Sequence, residues 1–177
     1  TYTYIGYPLI LAAVSSIISI RVAKKEIYPQ VSVIVSAYNE GKNIAARISN
    51  LLSMDYPREK LEIIIGSDGS SDETYEIIKK YAEEHGIRYT VSFNRIGKPA
   101  MINKIAKDAQ GEIFVFADAR QRFDKDALKK MVSNFADEDI GAVSGELIIE
   151  DQATGTGKGM GLYWEYEKFL RKREGAL

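Results

Sequence analysis

Three short clusters of polar and charged residues each follow an apolar run long enough to form a buried strand. The clusters read SAYNE at residues 36–40, GSDGSSD at residues 66–72 and ADARQ at residues 117–121. The last cluster places the carboxylate of Asp118 and the guanidinium of Arg120 one residue apart, where a strand should emerge from the interior. A carboxylate can hold a divalent cation, and a guanidinium can pair with phosphate oxygens. The clusters are therefore candidate parts of one binding site.

The elements that must position these clusters follow from the periodicity of the apolar residues. Strand-like runs lie at residues 31–35, 61–65, 87–93, 112–117 and 140–150, and helical spacing separates each run from the next. Strands that alternate with helices predict an α/β fold with a mainly parallel sheet flanked by helices on both faces. Because the carboxyl ends of parallel strands share one edge of a sheet, we expect the three clusters to converge there.

Each cluster also has a purely structural interpretation. Asn39 or Glu40 can open a helix, Asp68 can form a turn with Gly69, and Asp72 can cap the helix that follows it. Taken singly, each structural interpretation is at least as good as a functional one. The functional interpretation gains weight because the clusters fall at the ends of separate strands.

Composition narrows the classes of function. The 177 residues carry a net charge of -1, which gives no general sign of a nucleic-acid partner, and the absence of cysteine excludes disulfides and thiolate chemistry. The single histidine, His85, precedes a helix-ending glycine and is assigned no chemistry. The glycine-rich segment 155–161 matches neither common phosphate-binding motif and is interpreted as a mobile loop.

The uncharged segment from Tyr2 to Ile20 is interpreted as a transmembrane helix. A helix of that length would be about 28 Å long, close to the thickness of the bilayer hydrocarbon. Arg21, Lys24 and Lys25 follow it, so positive-inside reasoning attaches the chain to the cytoplasmic (inner) cell membrane, with the remainder facing the cytoplasm. A buried core helix and the apolar part of a secretion signal are the alternatives.

The predicted boundaries divide the chain into two parts. Residues 1–25 form the transmembrane helix and its basic juxtamembrane segment, and residues 26–177 form the α/β domain. The sequence starts with Thr1 rather than methionine and ends at REGAL without an evident terminal element. We therefore expect the chain to be a fragment of a longer protein.

Four sequence blocks resemble successive motifs of the family 2 glycosyltransferases. The blocks are VSVIVSAYNEGKNIAARISNLLSMDYP, LEIIIGSDGSSDETYEI, RIGKPAMINKIAKDAQGEIFVFADARQRF, and the region from GAVSGEL to YWEYEKFLRKRE. They resemble in particular the membrane-anchored members related to hyaluronan, cellulose and poly-N-acetylglucosamine synthases. The resemblance implies a GT-A (Rossmann-like) fold and a nucleotide-sugar donor, usually a UDP-sugar. It also implies polysaccharide biosynthesis, with transfer of the sugar, with inversion, to a glycan or lipid-linked acceptor.

The resemblance also implies roles for individual residues. Ser36, Tyr38 and Glu40 lie in the motif that contacts the nucleotide, where Tyr38 matches a tyrosine that packs on the uracil ring. Asp68 matches the carboxylate that accepts the uracil N–H group. Lys98 matches a basic residue near the diphosphate, and a cation at a helix N-terminus independently favours an anionic partner.

Asp118 and Arg120 stand where the family usually has an Asp-x-Asp pair. Asp118 matches the first position, whereas Arg120 replaces a carboxylate that would hold a divalent cation, and a guanidinium cannot ligate one. We expect Mg²⁺ or Mn²⁺ to be retained through Asp118, phosphate oxygens and water, with Arg120 on phosphate or in a local ion pair. The alternatives are direct neutralisation of the diphosphate by Arg120 and an Arg120 that points to solvent.

The general base and the downstream Q/R-x-x-R-W motif of the family are not evident in the sequence. Glu150 and Asp151 are candidates for the base, although they follow the fifth predicted strand too soon. The sequence therefore predicts the donor-binding half of a glycosyltransferase, and a non-catalytic nucleotide-sugar-binding or regulatory module is the alternative. A dinucleotide oxidoreductase is a poorer third interpretation, because no glycine fingerprint opens the first helix of the α/β domain.

Overall fold

The chain folds into two compact units. The computed structural model describes residues 2–18, 21–146, 148 and 155–175, with the backbone alone for residues 3 and 155–164. One unit comprises Lys24–Asp139, and the other comprises Thr1–Ala23 together with Ile140–Leu177.

Helices and strands alternate along most of the chain. The strands are β1 (Val31–Ala37), β2 (Leu61–Asp68), β3 (Arg88–Ser92) and β4 (Ile113–Asp118). The α-helices are α1 (Tyr7–Ile17), α2 (Gly41–Leu52), α3 (Thr74–His85), α4 (Lys98–Ala106), α5 (Ala127–Val132) and α6 (Gly155–Glu174). A π-helical turn, Tyr2–Gly6, precedes α1, and 3₁₀ turns occupy Arg58–Lys60 and Ser133–Ala136.

Among the described residues the sheet has four parallel strands in the order β3-β2-β1-β4. The register pairs Ser36 of β1 with Gly66 of β2 and with Asp118 of β4, and it pairs Asp68 of β2 with Ser92 of β3. Parallel neighbours require crossover connections, which the helices between the strands provide. The predicted α/β architecture is confirmed, and the carboxyl ends of the four strands share one edge.

Helices cover both faces of the sheet. On one face, α2, α3 and α5 bury their apolar residues against the alternate side chains of β1 and β2. On the other face, Met101 and Ile105 of α4 pack against Ile34 and Ile64. Gly66 permits this close approach, since a Cβ atom there would lie 2.6 Å from the Met101 sulfur. Packing against the core therefore sets the position of α4 along the strands, so that its first residue lies at the carboxyl edge of the sheet.

The edge strand β4 is less covered than its neighbours. Phe114 and Phe116 are 40% and 59% exposed, and no strand among the described residues pairs with the outer edge of β4. The prediction of a fifth strand at residues 140–150 is wrong for residues 140–146, which adopt neither helix nor strand. An apolar run becomes a strand only when its backbone groups pair with a neighbouring strand, and local periodicity does not reveal that partner.

At the amino ends of the strands, Glu62 connects several segments. Its carboxylate accepts hydrogen bonds from Ser32 Oγ, from Arg88 Nη1 and, at 3.0 Å, from the Gln110 backbone N–H. The Gly111 N–H in turn donates to Ser32 Oγ at 2.8 Å. Burial raises the pKa of Glu62, but these hydrogen bonds outweigh burial and hold its pKa below the ordinary value.

The unit formed by the two ends of the chain contains α1 and α6. Tyr7 Oη donates to Glu174 Oε1 at 2.6 Å, and Arg173 Nη1 donates to Ser15 Oγ at 3.2 Å, so the two helices are tied side by side. Helix α6 begins at Gly155, so the prediction of a mobile loop at residues 155–161 is wrong.

The transmembrane helix predicted from Tyr2 to Ile20 is not found. The segment begins with the π-helical turn Tyr2–Gly6, and the α-helix that follows it, α1, has only 11 residues. A helix of that length rises about 16 Å, roughly half the thickness of the bilayer hydrocarbon. None of the described helices is both long enough and apolar enough to cross a bilayer.

Candidate functional site

Hydrogen bonds tie the loop after β1 to the loop after β2. The Ser71 N–H donates to Asn39 Oδ1 at 2.9 Å, and the Gly41 N–H donates to Asp72 Oδ2 at 3.0 Å. Asp72 also accepts a hydrogen bond from the Thr74 backbone N–H at 3.1 Å. Asn39 and Asp72 therefore hold the two loops together beside the sheet edge. Asn39 does not cap a helix, since α2 begins after Glu40, whereas Asp72 bonds the first residue of α3.

A cavity of about 350 Å³ opens at the carboxyl edge of the sheet, within the size range of small-molecule sites. It is lined by the ends of β1, β2 and β4, the start of α4, and the loops next to them. The structure brings to this one cavity every nucleotide-site residue that was predicted from the sequence: Ser36, Tyr38, Glu40, Asp68, Lys98, Asp118 and Arg120. Their individual roles stay predictions.

Asp68, the last residue of β2, borders the cavity but is only 2% exposed. Its Oδ1 accepts the Ile96 N–H at 2.7 Å, and its Oδ2 accepts the Gly97 N–H at 2.9 Å. Gly69 has a φ of +67°, and a Cβ there would lie 2.5 Å from the backbone nitrogen of Arg95. Asp68 thus fixes the loop before α4 against the end of β2. Each carboxylate oxygen can still accept one further hydrogen bond.

Tyr38 supplies an aromatic ring that is partly exposed beside the cavity. The guanidinium of Arg95 lies over this ring, with Cζ 4.1 Å from the ring centroid, a cation–π arrangement. The Arg95 guanidinium therefore covers one face of the Tyr38 ring. Arg95 was not predicted as a site residue, although it precedes Lys98 by three positions in the block RIGKP.

Two ion pairs lie among the cavity residues. Lys98 Nζ contacts Asp118 Oδ1, and Arg120 Nε donates to Glu40 Oε1 at 2.7 Å. Lys98 is the first residue of α4, where the helix dipole disfavours a cation, and Asp118 offsets that effect. Lys98, Asp118 and Arg120 are about half-exposed or more, so both pairs are weak enough to exchange for a ligand.

The ionisable side chains of the cavity balance in charge. The acidic members are Glu40, Asp68 and Asp118, and the basic members are Arg95, Lys98 and Arg120. Within the part of the chain that the structure describes, no three His, Cys, Asp or Glu side chains are grouped to hold a metal ion. A lone carboxylate still fits Mg²⁺ or Mn²⁺ when phosphate oxygens and water complete the coordination. Asp118 meets that requirement only in the presence of a phosphorylated ligand.

Sequence reasoning missed three of the residues that line the cavity: Arg95, Ala119 and Gln121. Ala119 and Gln121 flank Arg120 in ADARQ, so their place at the strand end was available from the sequence. The base candidates Glu150 and Asp151 lie outside the described residues, and their assignment stays a prediction.

The sequence is similar to that of known glycosyltransferases. The family model described as Glycosyl transferase family 2 matches residues 32–176. The poly-beta-1,6-N-acetyl-D-glucosamine synthases of Staphylococcus epidermidis and Staphylococcus aureus (strain COL) are each 35% identical to the chain, over 130 and 129 residues. Each match covers 72% of this chain and 31% of the relative, so the chain spans about a third of the length of these synthases.

Solved structures show the same fold. The mannosyltransferase PcManGT from Pyrobaculum calidifontis, in complex with GDP-Man and Mn²⁺, has a TM-score of 0.69 at 32% identity and covers 79% of this chain and 43% of that chain. S. aureus TarS 1-349 in complex with UDP-GlcNAc has a TM-score of 0.54 at 30% identity and covers 58% of this chain and 30% of that chain. The sheet and its helices are therefore GT-A-like. Because the family model matches most of the sequence, including every residue that lines the cavity, the chain belongs to glycosyl transferase family 2.

Proposed function

We propose that this chain is the donor-binding part of an inverting glycosyltransferase and takes a nucleotide-sugar, in particular a UDP-sugar, into the cavity at the sheet edge. The observation that carries the proposal is that Tyr38, Asp68, Lys98 and Asp118 line one cavity despite their separation in sequence. Family membership supports the class of reaction. The relatives named as polysaccharide synthases favour a glycan or lipid-linked acceptor.

The nucleoside would occupy the side of the cavity formed by Tyr38, Arg95 and Asp68. Stacking on the Tyr38 ring or on the Arg95 guanidinium suits any nucleobase, since every base has an aromatic face. Selection of uracil would come from Asp68, whose remaining acceptor capacity fits the uracil N–H. Ser36 and Glu40 line the same cavity and would contact the rest of the nucleotide.

The diphosphate would replace the partners in the two ion pairs of the cavity. Lys98 would leave Asp118 and Arg120 would leave Glu40, so that both cations meet phosphate oxygens. Asp118 would then be free to hold Mg²⁺ or Mn²⁺ together with the diphosphate. Such an ion supplies charge neutralisation to the departing diphosphate.

We further propose that residues 1–25 attach the chain to the cytoplasmic membrane and that the domain within residues 26–177 faces the cytoplasm. Basic residues at positions 21, 24 and 25 follow the apolar segment, as expected on the cytoplasmic side. Large apolar side chains of this segment are exposed and available to lipid: Tyr2, Tyr4, Ile5, Leu9, Ile10, Val14, Ile17 and Ile18.

Nucleotide titration tests the proposed donor site. UDP, UDP-GlcNAc, UDP-glucose and GDP-mannose are titrated into the chain by calorimetry, with Mn²⁺ and with EDTA, and NAD⁺ serves as the control for a dinucleotide site. We expect UDP and at least one UDP-sugar to bind, more tightly with Mn²⁺, and NAD⁺ not to bind. Failure of every uridine and guanosine nucleotide to bind would overturn the proposal.

The variant Asp118→Asn tests the metal assignment. Loss of the carboxylate should abolish the strengthening of UDP binding by Mn²⁺, because an amide is a much poorer cation ligand. Asp126→Asn, which alters a carboxylate paired with Lys130 on α5, is the matched control and should keep the response. A normal Mn²⁺ response in Asp118→Asn would argue against ligation by Asp118.

A non-catalytic nucleotide-sugar-binding module is the second candidate. The observation that favours it is Arg120, which stands where the family usually has a carboxylate. A radiolabelled donor assay, scoring hydrolysis and transfer in this chain and in the longer protein, separates the two. Donor binding without turnover in either form would support the module, and turnover would exclude it.

A further inference from the structure

Helix α2 buries a charged residue on its apolar face. Arg47 lies between Ile44, Ile48 and Leu51 on the stripe that packs on the sheet, and it is only 1% exposed. Its Nη1 donates to Asn50 Oδ1 at 2.9 Å, whereas its Nε and Nη2 have no hydrogen-bond partner among the described residues. Burying unpaired donors of a cation is costly, so stability alone does not account for arginine here.

The buried arginine belongs to a clamp on Phe123, in the loop after β4. The Asn50 side chain bonds both backbone groups of Phe123: its Oδ1 accepts the Phe123 N–H at 2.9 Å, and its Nδ2 donates to the Phe123 carbonyl at 2.9 Å. The Arg47 guanidinium lies 4.3 Å from the centroid of the Phe123 ring. Helix α2 therefore holds Phe123 by its main chain and by its ring at once.

The clamp sits next to the cavity. Between Asp118, which ends β4, and Phe123 lie only four residues, and three of them line the cavity: Ala119, Arg120 and Gln121. Burial lowers the pKa of Arg47 to about 10, and the negative charge of Asp118 acts in the opposite direction. The short segment is thus fixed at one end by the sheet and at the other by α2.

We propose that Arg47 and Asn50 are positioning residues for the donor site: by clamping Phe123 they hold residues 119–122 so that Arg120 faces the ligand's phosphates. The identity of that ligand rests on the proposed function. The positioning itself rests on the hydrogen bonds and the ring contact alone.

The variant Arg47→Met separates positioning from simple core packing. Methionine fills the apolar stripe without a buried charge, so the unfolding temperature should stay the same or rise. If Arg47 has a positioning role, the amides of residues 119–123 should nevertheless exchange with deuterium about tenfold faster in this variant. UDP should also bind about tenfold more weakly, which is the scale of effect seen when a residue that supports a site is lost. A purely structural role would move stability and binding in the same direction.

Two further variants complete the test. Asn50→Asp keeps the acceptor for the Phe123 N–H but loses the donor to its carbonyl, and it should also speed exchange at residues 119–123. Arg58→Met is the control and should show normal exchange and normal UDP binding. It removes an arginine on the 3₁₀ turn that precedes β2, at the amino edge of the sheet, and this arginine donates to the His85 carbonyl. Should Arg47→Met fail to fold, Asn50→Asp carries the same readouts.

The outcomes distinguish this inference from the proposed function. If exchange at residues 119–123 is unchanged in both clamp variants, or accelerates equally throughout the sheet, the positioning role is overturned. Local acceleration with unchanged UDP affinity would overturn its link to the donor site. If the unaltered chain binds no UDP, the proposed function fails, while the exchange measurement still decides whether α2 holds the loop.

Discussion

In the proposed donor site, Arg120 governs how the cavity would meet a diphosphate. By the sequence resemblance it stands where the family usually has the second carboxylate of an Asp-x-Asp pair, and its Nε donates to Glu40 Oε1 at 2.7 Å. The Glu40 side chain is shielded, whereas most of Arg120 is exposed. A guanidinium there offers direct hydrogen bonds to phosphate, where a carboxylate could act only through a cation. The chain should therefore depend less on metal than a relative that carries both carboxylates.

The variant Arg120→Asp tests this trade between guanidinium and metal. We expect UDP affinity in EDTA to fall by about 1.5–3 kcal/mol, the typical worth of a charge-assisted hydrogen bond. Mn²⁺ should then strengthen UDP binding more than it does in the unaltered chain, because two carboxylates are available. Calorimetric titration measures both quantities. Arg122→Asp is the control, because Arg122 lies two positions further along the chain and does not line the cavity. Equal UDP affinities for the two variants would show that Arg120 does not bind phosphate.

At the scale of single residues, the sequence predicted the site residues whose motifs directly follow or end a strand. Tyr38, Asp68 and Asp118 could be placed together because each follows or ends an apolar run, and parallel strands bring such ends to one edge. Arg95 was missed because its partner is an aromatic ring more than fifty positions away. Arg47 was missed because a charged helical residue is normally solvated, although it interrupts an apolar stripe.

At the scale of elements, the amino edge of the sheet depends on Glu62, which joins β1, β2, β3 and the turn before β4. Glu62→Gln preserves the shape of the side chain but removes the charge that receives the Arg88 and Ser32 hydrogen bonds. We expect the free energy of unfolding at pH 7 to fall by about 1–3 kcal/mol. Urea denaturation followed by circular dichroism measures the change.

Acidification should erase the difference between Glu62→Gln and the unaltered chain. The pKa of Glu62 is lowered in the folded state, so its contribution is complete above the ordinary pKa of 4.5 and is lost as pH falls through the folded-state pKa. The two urea midpoints should therefore converge below pH 4.5. Glu59→Gln, an exposed neighbour on the 3₁₀ turn, is the control and should show no comparable loss at pH 7. A gap for Glu62→Gln that persists at low pH would contradict a charge-dependent role.

The order of strands and helices along the chain was easier to predict from the sequence than which strands pair. The apolar runs of β1 and β2 are continuous because these strands are buried on both faces, which is typical of parallel sheets. Residues 140–146 were predicted to begin a further strand but have no strand structure, because pairing is decided by neighbours remote in sequence. The transmembrane helix predicted from Tyr2 to Ile20 differs from the structure for another reason. Hydropathy measures whether a bilayer would accept a helix, and it does not measure how many residues form a regular α-helix.

For the molecule as a whole, the separation into two units gives a direct test of membrane attachment. Deleting residues 1–23 removes α1 and its hydrogen bonds to α6 but leaves the unit Lys24–Asp139 intact. We expect the shortened chain to bind UDP normally and to lose flotation with vesicles of phosphatidylethanolamine and phosphatidylglycerol. Continued flotation would move the attachment to the basic end of α6, at Arg171–Arg173.

The outer edge of β4 has a practical consequence for anyone who isolates this chain. No strand of the described residues pairs with this edge, so its amide and carbonyl groups, beside the exposed Phe114 and Phe116, are a template on which another copy can add a strand. Purified material should accordingly aggregate as its concentration rises. A lysine at position 116 would give this edge the kind of charge that natural sheet proteins use to stay soluble.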